Sequence, residues 1–103
     1  MSNGWHARKL LTVIAEAALE RALVEAARAA GAGGYTVSDV RGGGRAGERS
    51  GEWEGERSIE FRVVCDDAIA EHLADRIMRE YADNYSLVLY VSEVGVRRGQ
   101  RFP

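Results

Sequence analysis

Three consecutive glycines, Gly42-Gly43-Gly44, follow a β-branched stretch and lie between two arginines, Arg41 and Arg45. Glycine lacks a Cβ, so successive backbone N–H groups can converge on one anion. A guanidinium beside them adds charge-assisted, bidentate donors that match a phosphate. These residue types at this spacing point to a grip on a small phosphorylated ligand. A second cationic cluster, Arg97, Arg98 and Arg101, lies near the end of the chain. No Lys-Ser or Lys-Thr follows the glycines, so the run is not the P-loop of nucleoside triphosphatases.

Other chemistry is thinly supplied. His6 and His72 are candidate general bases. However, His72 stands beside Glu71 on the polar side of an expected helix, and His6 lies in a stretch expected to fray. No nucleophile has a base at a telling spacing, and no metal-ligand pattern occurs, so the chain is not expected to be an enzyme. Cys65 is the single cysteine, which excludes an internal disulfide and a thiolate cluster. Within Val63-Val64-Cys65 it reads as a small core hydrophobe. The net charge of −2 argues against a general nucleic-acid binder, which needs a dense basic face. The central strands offer Phe61 as their aromatic, too little for stacking RNA bases. No segment approaches the ~20 apolar residues of a membrane span, and residues 1–8 have no signal-peptide core. A cytoplasmic location is expected.

The elements that must position the arginines and glycines follow from the hydrophobic pattern. With 103 residues, 46% hydrophobic and 29% charged, the chain is expected to form one domain over residues 1–103. Residues 10–14 form an apolar run of strand length. Leu19, Leu23, Ala26 and Ala30 recur on one face of a helix expected over residues 16–30. Gly31 to Gly34 stop it. Residues 35–41 read as the second strand. Residues 58–65 alternate, with Ile59, Phe61 and Val63 opposite Glu60 and Arg62. Asp66 or Asp67 is the expected N-cap of a second helix carrying Ile69, Leu73 and Ile77. Residues 83–84 close it, and residues 87–91 form the last long strand. The 42–57 stretch carries six glycines, mixed charges and Trp53 without apolar period. It reads either as a linker between the halves or, given its glycine run and tryptophan, as a ligand or partner loop.

Two βαβ units of this size spell an α+β, ferredoxin-like βαββαβ fold: a four-stranded antiparallel sheet with two helices on one face. The 10–14 and 87–91 runs are apolar at consecutive positions, so both sheet faces want burial. A chain this short cannot cover its own second face, which points to an oligomer with sheets facing inward.

Several segments carry a family resemblance. Gly34-Tyr35-Thr36-Val37, Ala74-Asp75-Arg76, Tyr81-Ala82-Asp83-Asn84-Tyr85 and Gly99-Gln100-Arg101-Phe102 resemble PII-type signalling proteins, and the likeness spans Lys9 to Phe102. Within that superfamily the chain is most similar to the PII-like proteins of inorganic carbon: carboxysome-associated PII and the bicarbonate-transporter regulators. The resemblance implies a trimer that binds adenine nucleotides in clefts between subunits. The ligand would be ADP or AMP, with ATP or cyclic AMP as further candidates, and with bicarbonate beside it. It implies that Thr36 and Val37 hold the adenine through the strand backbone. Gly42, Gly43, Gly44, Arg45 and Arg49 would take phosphates, and Asn84, Tyr85, Ser86 and Arg97 or Arg98 would close the cleft. The 42–57 stretch would then be the T-loop, which meets a bicarbonate transporter or a carboxysome protein.

The sequence also departs from parts of that superfamily. Residues 42–57 contain no tyrosine, so uridylylation of the T-loop is not expected. Asp83-Asn84-Tyr85-Ser86 stands where nitrogen regulators carry a glycine-rich phosphate loop, leaving discrimination of ATP from ADP and AMP open. No second cysteine follows Cys65, unlike the redox-active pair of many transporter regulators. A ferredoxin-like regulatory domain that binds an amino acid is the alternative from another ligand class.

Overall fold

The computed structural model describes residues 4–44, 47–49 and 57–103. Its elements are β1 (His6–Glu16), a 3-10 turn (Ala17–Leu19), α1 (Glu20–Ala30), β2 (Thr36–Val40), β3 (Gly42–Gly44), β4 (Gly47–Arg49), β5 (Ser58–Cys65), α2 (Asp67–Tyr81), β6 (Leu87–Val96) and a 3-10 turn (Gly99–Arg101). Four strands form one antiparallel sheet in the order β2-β5-β1-β6, and β3 pairs with β4 as a separate ribbon. The α+β, ferredoxin-like expectation for the protomer holds.

The alternation of β5 decides which face is covered. Ile59, Phe61 and Val63 pair across the sheet with Ala15, Val13 and Leu11, and all six are buried. Leu19, Leu23, Ala26 and Ala27, from the first 3-10 turn and α1, pack on them with Ala70, Leu73 and Ile77 of α2. Asp66 is the N-cap of α2: its Oδ1 accepts from the Ile69 N–H at 2.8 Å. Gly31 ends α1 in the left-handed region (φ 93°), where a residue with a Cβ is strained.

Three boundaries differ from the sequence reading. The α-helix starts at Glu20 rather than residue 16: Glu16 still pairs with Ser58 in β1, the Ala17 N–H donates to the Arg57 carbonyl at 2.8 Å, and Ala17–Leu19 form a 3-10 turn. β1 starts at His6 and β6 runs to Val96, longer than their apolar runs, because ten residues pair from His6↔Val96 to Ala15↔Leu87. The glycine run is extended rather than turned: Gly42 pairs with Arg49, Gly43 with Glu48 and Gly44 with Gly47.

Among the described residues, the other sheet face carries no helix. Rows across it read Thr36–Arg62–Thr12–Tyr90 and Ser38–Glu60–Ile14–Val88. Thr12 is buried between its Arg62 and Tyr90 neighbours, but Val88 and Tyr90 remain 53% and 48% exposed. The apolar side chains lie mainly on the β1–β6 half, with Leu10 beyond Thr12; Val64 of β5, its partner, is the apolar residue beside them. The β2–β5 half is polar, and Arg62 Nη1 pairs with Glu60 Oε2 at 3.3 Å. Among the described residues, no helix is long and apolar enough to cross a membrane.

Candidate functional site

The strand ladder fixes the end of the sheet at which the described ligand candidates stand. At one end of the sheet lie Val40, Ser58 and Glu16, consecutive partners across three strands. The Gly42–Gly44 ribbon leaves from this end, and the Asn84-Tyr85-Ser86 turn arrives there. A carboxylate fastens the turn: the Ser86 N–H donates to Glu16 Oε2 at 2.7 Å. The Asn84 and Tyr85 N–H groups both donate to the Tyr81 carbonyl, at 3.2 and 3.0 Å, and the Tyr81 and Tyr85 rings meet edge to face at 6.1 Å. Glu16, expected in a helix, thus acts as the anchor of the predicted cleft wall. Arg57 Nη2 stands 3.8 Å from Asp39 Oδ1 beside the same end.

Thr36 and Val37 stand at the level of Thr12 and Val13, midway along the sheet. β2 is an edge strand, hydrogen-bonded within the protomer to β5 alone, so one backbone edge faces outward. Such an edge offers main-chain donors and acceptors to a ligand or a further strand. Thr36 points to the helix-free face, next to Arg62. The sequence alternation placed Arg62 on a solvated face, but its neighbour Thr36 emerges only from the register.

Arg97 and Arg98 stand at the opposite end, beyond the His6↔Val96 pair. Ten residue steps of β1 separate the ends, about 33 Å at the rise of a strand. One protomer therefore sets Gly42, Gly43 and Gly44 and the Asn84–Ser86 turn at the same end of the sheet but on opposite edges, beside β2 and β6, and holds Arg97 and Arg98 at the other end. The Arg97 guanidinium lies 4.3 Å over the Trp5 ring, a cation–π contact. Arg45 and Trp53 lie outside the described residues, and Arg49 is described through its backbone pairing with Gly42.

Three surface grooves lined by described residues lie elsewhere. One of about 450 Å³ joins Ala7, Arg8, Lys9, Asp66, Asp67, Ala68 and Glu93. Lys9 Nζ sits 3.1 Å from Glu93 and 3.5 Å from Asp67; the hydrogen bond to Glu93 is the main cause that raises its pKa above the usual lysine value. A second of about 300 Å³ shares Lys9 and Asp67, and a third of about 700 Å³ follows the outer face of α1. Cys65 is fully buried on the covered face, and desolvation, helped by Asp66 and Asp67, pushes its thiol up to about 11. That thiol is a packing group, not a nucleophile. Among the described residues no cluster of His, Cys, Asp and Glu could hold a metal ion.

The sequence matches the nitrogen regulatory protein P-II family over residues 8–101. The chain belongs to that family. A Thermus thermophilus protein described as PII-like in signalling is 34% identical to this P-II chain, with a TM-score of 0.83, and the match covers 96% and 98% of the two chains. CPII, a nitrogen regulatory PII-like protein from Thiomonas intermedia K12, solved with ADP, AMP and bicarbonate, matches at 22% identity and a TM-score of 0.87, covering 98% of each. The apo form of CPII matches at 19% identity and 0.62, covering 89% and 96%. The likeness to CPII is one of fold, and the P-II assignment rests on the family match and the Thermus relative.

Proposed function

We propose that this P-II chain is a non-enzymatic, cytoplasmic sensor that binds ADP or AMP, with bicarbonate, in the clefts of a homotrimer. The observation that carries the reading is the split of the predicted site over the two ends of one protomer. A cleft between neighbours can unite them, with the β2 edge, the glycine ribbon and the Asn84–Ser86 turn on one side and a neighbour's Arg97 and Arg98 on the other. The bare apolar half of the sheet supplies the contact that would hold such neighbours together. The polar half, with Thr36 and Arg62, would border the cleft. CPII lends the ligand class, since it was solved with ADP, AMP and bicarbonate.

In this reading the adenine lies against the Thr36–Val37 backbone, Gly42–Gly44 with Arg45 and Arg49 receive the phosphates, and Arg97 or Arg98 closes over them. Nucleotide occupancy shifts the population of 42–57 loop arrangements, and the loop admits or rejects a bicarbonate transporter or carboxysome protein. Calorimetry with ADP, AMP, ATP and cyclic AMP, with and without bicarbonate and against an amino-acid panel, tests it. Micromolar or tighter binding of ADP or AMP is expected. Absence of any adenine-nucleotide binding, or preference for an amino acid, would overturn it.

A further inference from the structure

We propose that Arg8 is a positioning residue for the Arg97–Arg98 turn: its guanidinium ties the strap Gly99–Phe102 to β1 and so sets where the two arginines stand. This rests on the reading of Arg97 and Arg98 as nucleotide ligands.

The chain leaves β6 after Val96 and reverses at once. Arg98 has φ 55° and ψ 52°, the one non-glycine residue with positive φ among the described residues. Side chains with a Cβ rarely adopt that conformation, and it persists where the surroundings over-determine it. Arg8 supplies the constraint. Its Nε donates to the Phe102 carbonyl at 2.6 Å and its Nη2 to the Gly99 carbonyl at 2.8 Å. Nη1 donates to the Ala7 carbonyl at 2.8 Å, so the guanidinium is spent on main-chain acceptors on both sides of the junction. Those two tethers bracket the final 3-10 turn, which closes with Arg101 N–H to Arg98 O at 2.9 Å and Phe102 N–H to Gly99 O at 3.0 Å.

The strap is also seated by shape. Gly99 is buried, and a Cβ there would stand 2.7 Å from His6 Cγ and 3.0 Å from Arg8 Nη2. At its far end the Arg101 carbonyl packs on Gly33, where a Cβ would collide with it. The strap thus runs from the Arg97–Arg98 turn to the residues that lead into β2, the strand assigned to the adenine. Trp5, three residues before Arg8, lies under the Arg97 guanidinium. Lysine at position 8 cannot replace this bracket, because one ammonium on a flexible stem does not reproduce a planar fork with two aimed donors.

Hydrogen exchange by NMR and ADP calorimetry on the full chain test the role, using Arg8→Lys, Arg8→Ala, and Arg8→Ala combined with Arg97→Ala and Arg98→Ala. The Arg101 and Phe102 amides should exchange about tenfold faster or more in Arg8→Ala, with the core amide of Phe61 unchanged. ADP affinity should fall about tenfold, as expected when one charge-assisted contact is put out of reach, with Arg8→Lys intermediate. In the background lacking both arginines, Arg8→Ala should cost no further affinity. Unchanged exchange at Arg101 and Phe102 would overturn the tether. Faster exchange with unchanged affinity, or an equal further loss in the arginine-free background, would overturn the positioning role. If the unsubstituted protein binds no ADP, the nucleotide reading fails, and the exchange rates still decide whether Arg8 holds the strap.

Discussion

Replacing Val88 by aspartate should dissolve the proposed trimer while leaving the protomer folded. Val88 lies on the helix-free face opposite Ile14, with 53% of its surface still exposed in the protomer. Fully burying a valine is worth about 1.5–3 kcal/mol, so covering the remaining half contributes roughly 1 kcal/mol. A carboxylate there adds a desolvation penalty of at least about 2 kcal/mol if the face is covered, and almost nothing if it is bare. In the proposed homotrimer the change repeats three times, giving about 9 kcal/mol against assembly, or roughly six decades in its assembly constant. Light scattering at micromolar concentration should find three times the 11.3 kDa protomer for the unsubstituted chain and a single protomer for Val88→Asp. Met78→Asp is the matched control: Met78 is 47% exposed but sits on α2, on the other side of the sheet, and should leave the mass unchanged. A Val88→Asp protein that keeps the threefold mass, or an unsubstituted chain that is monomeric, would refute the reasoning.

Arg98→Gly should separate stability from ligand affinity. Relief of the φ 55° conformation should raise stability by roughly 0.5–1 kcal/mol in thermal unfolding, while calorimetry shows weaker ADP binding because the charge is gone. Cys65 should show alkaline linkage. Its thiol pKa is raised from 9.0 to about 11 in the fold, so its contribution is fully present below pH 9 and is lost as pH rises from 9 to 11. Denaturant titrations should find that slope reduced in Cys65→Ala, and a thiol reagent at about pH 8 should react only on unfolding.

Much of the fold was legible because half-buried elements write their burial into a period. β5 alternates with a two-residue repeat, and Leu73 and Ile77 of α2 fall one turn apart on the core side. What escaped was set by partners distant in sequence. Ser92, Glu93 and Gly95 have little strand character, yet they extend β6 because His6 to Leu10 lie alongside. Glu16 fits a helix pattern equally well, and only the Ser58 pairing and the Ser86 amide decide for the strand. The glycine run was legible as a special backbone but not as an extended one, since its partner Gly47–Arg49 has no strand signature. Arg8 escaped for the same reason: carbonyl ligands more than ninety positions away leave no trace in local spacing.

The central place of β1 has a consequence for the order in which the chain can fold. β1 is the first strand of this sheet in chain order and is flanked on both sides, by β5 and by β6, the last of the sheet's four strands. Its pairing with β6 closes a loop of nearly the whole domain, the kind of non-local contact that slows folding. During synthesis, β1 would pair with β5 while its other edge waits for β6 to emerge. An unpaired edge beside Leu11 and Val13 is open to other chains throughout that interval. A nascent chain stalled before Leu87 should therefore be the aggregation-prone form, and chaperone dependence should fall sharply once β6 has left the ribosome.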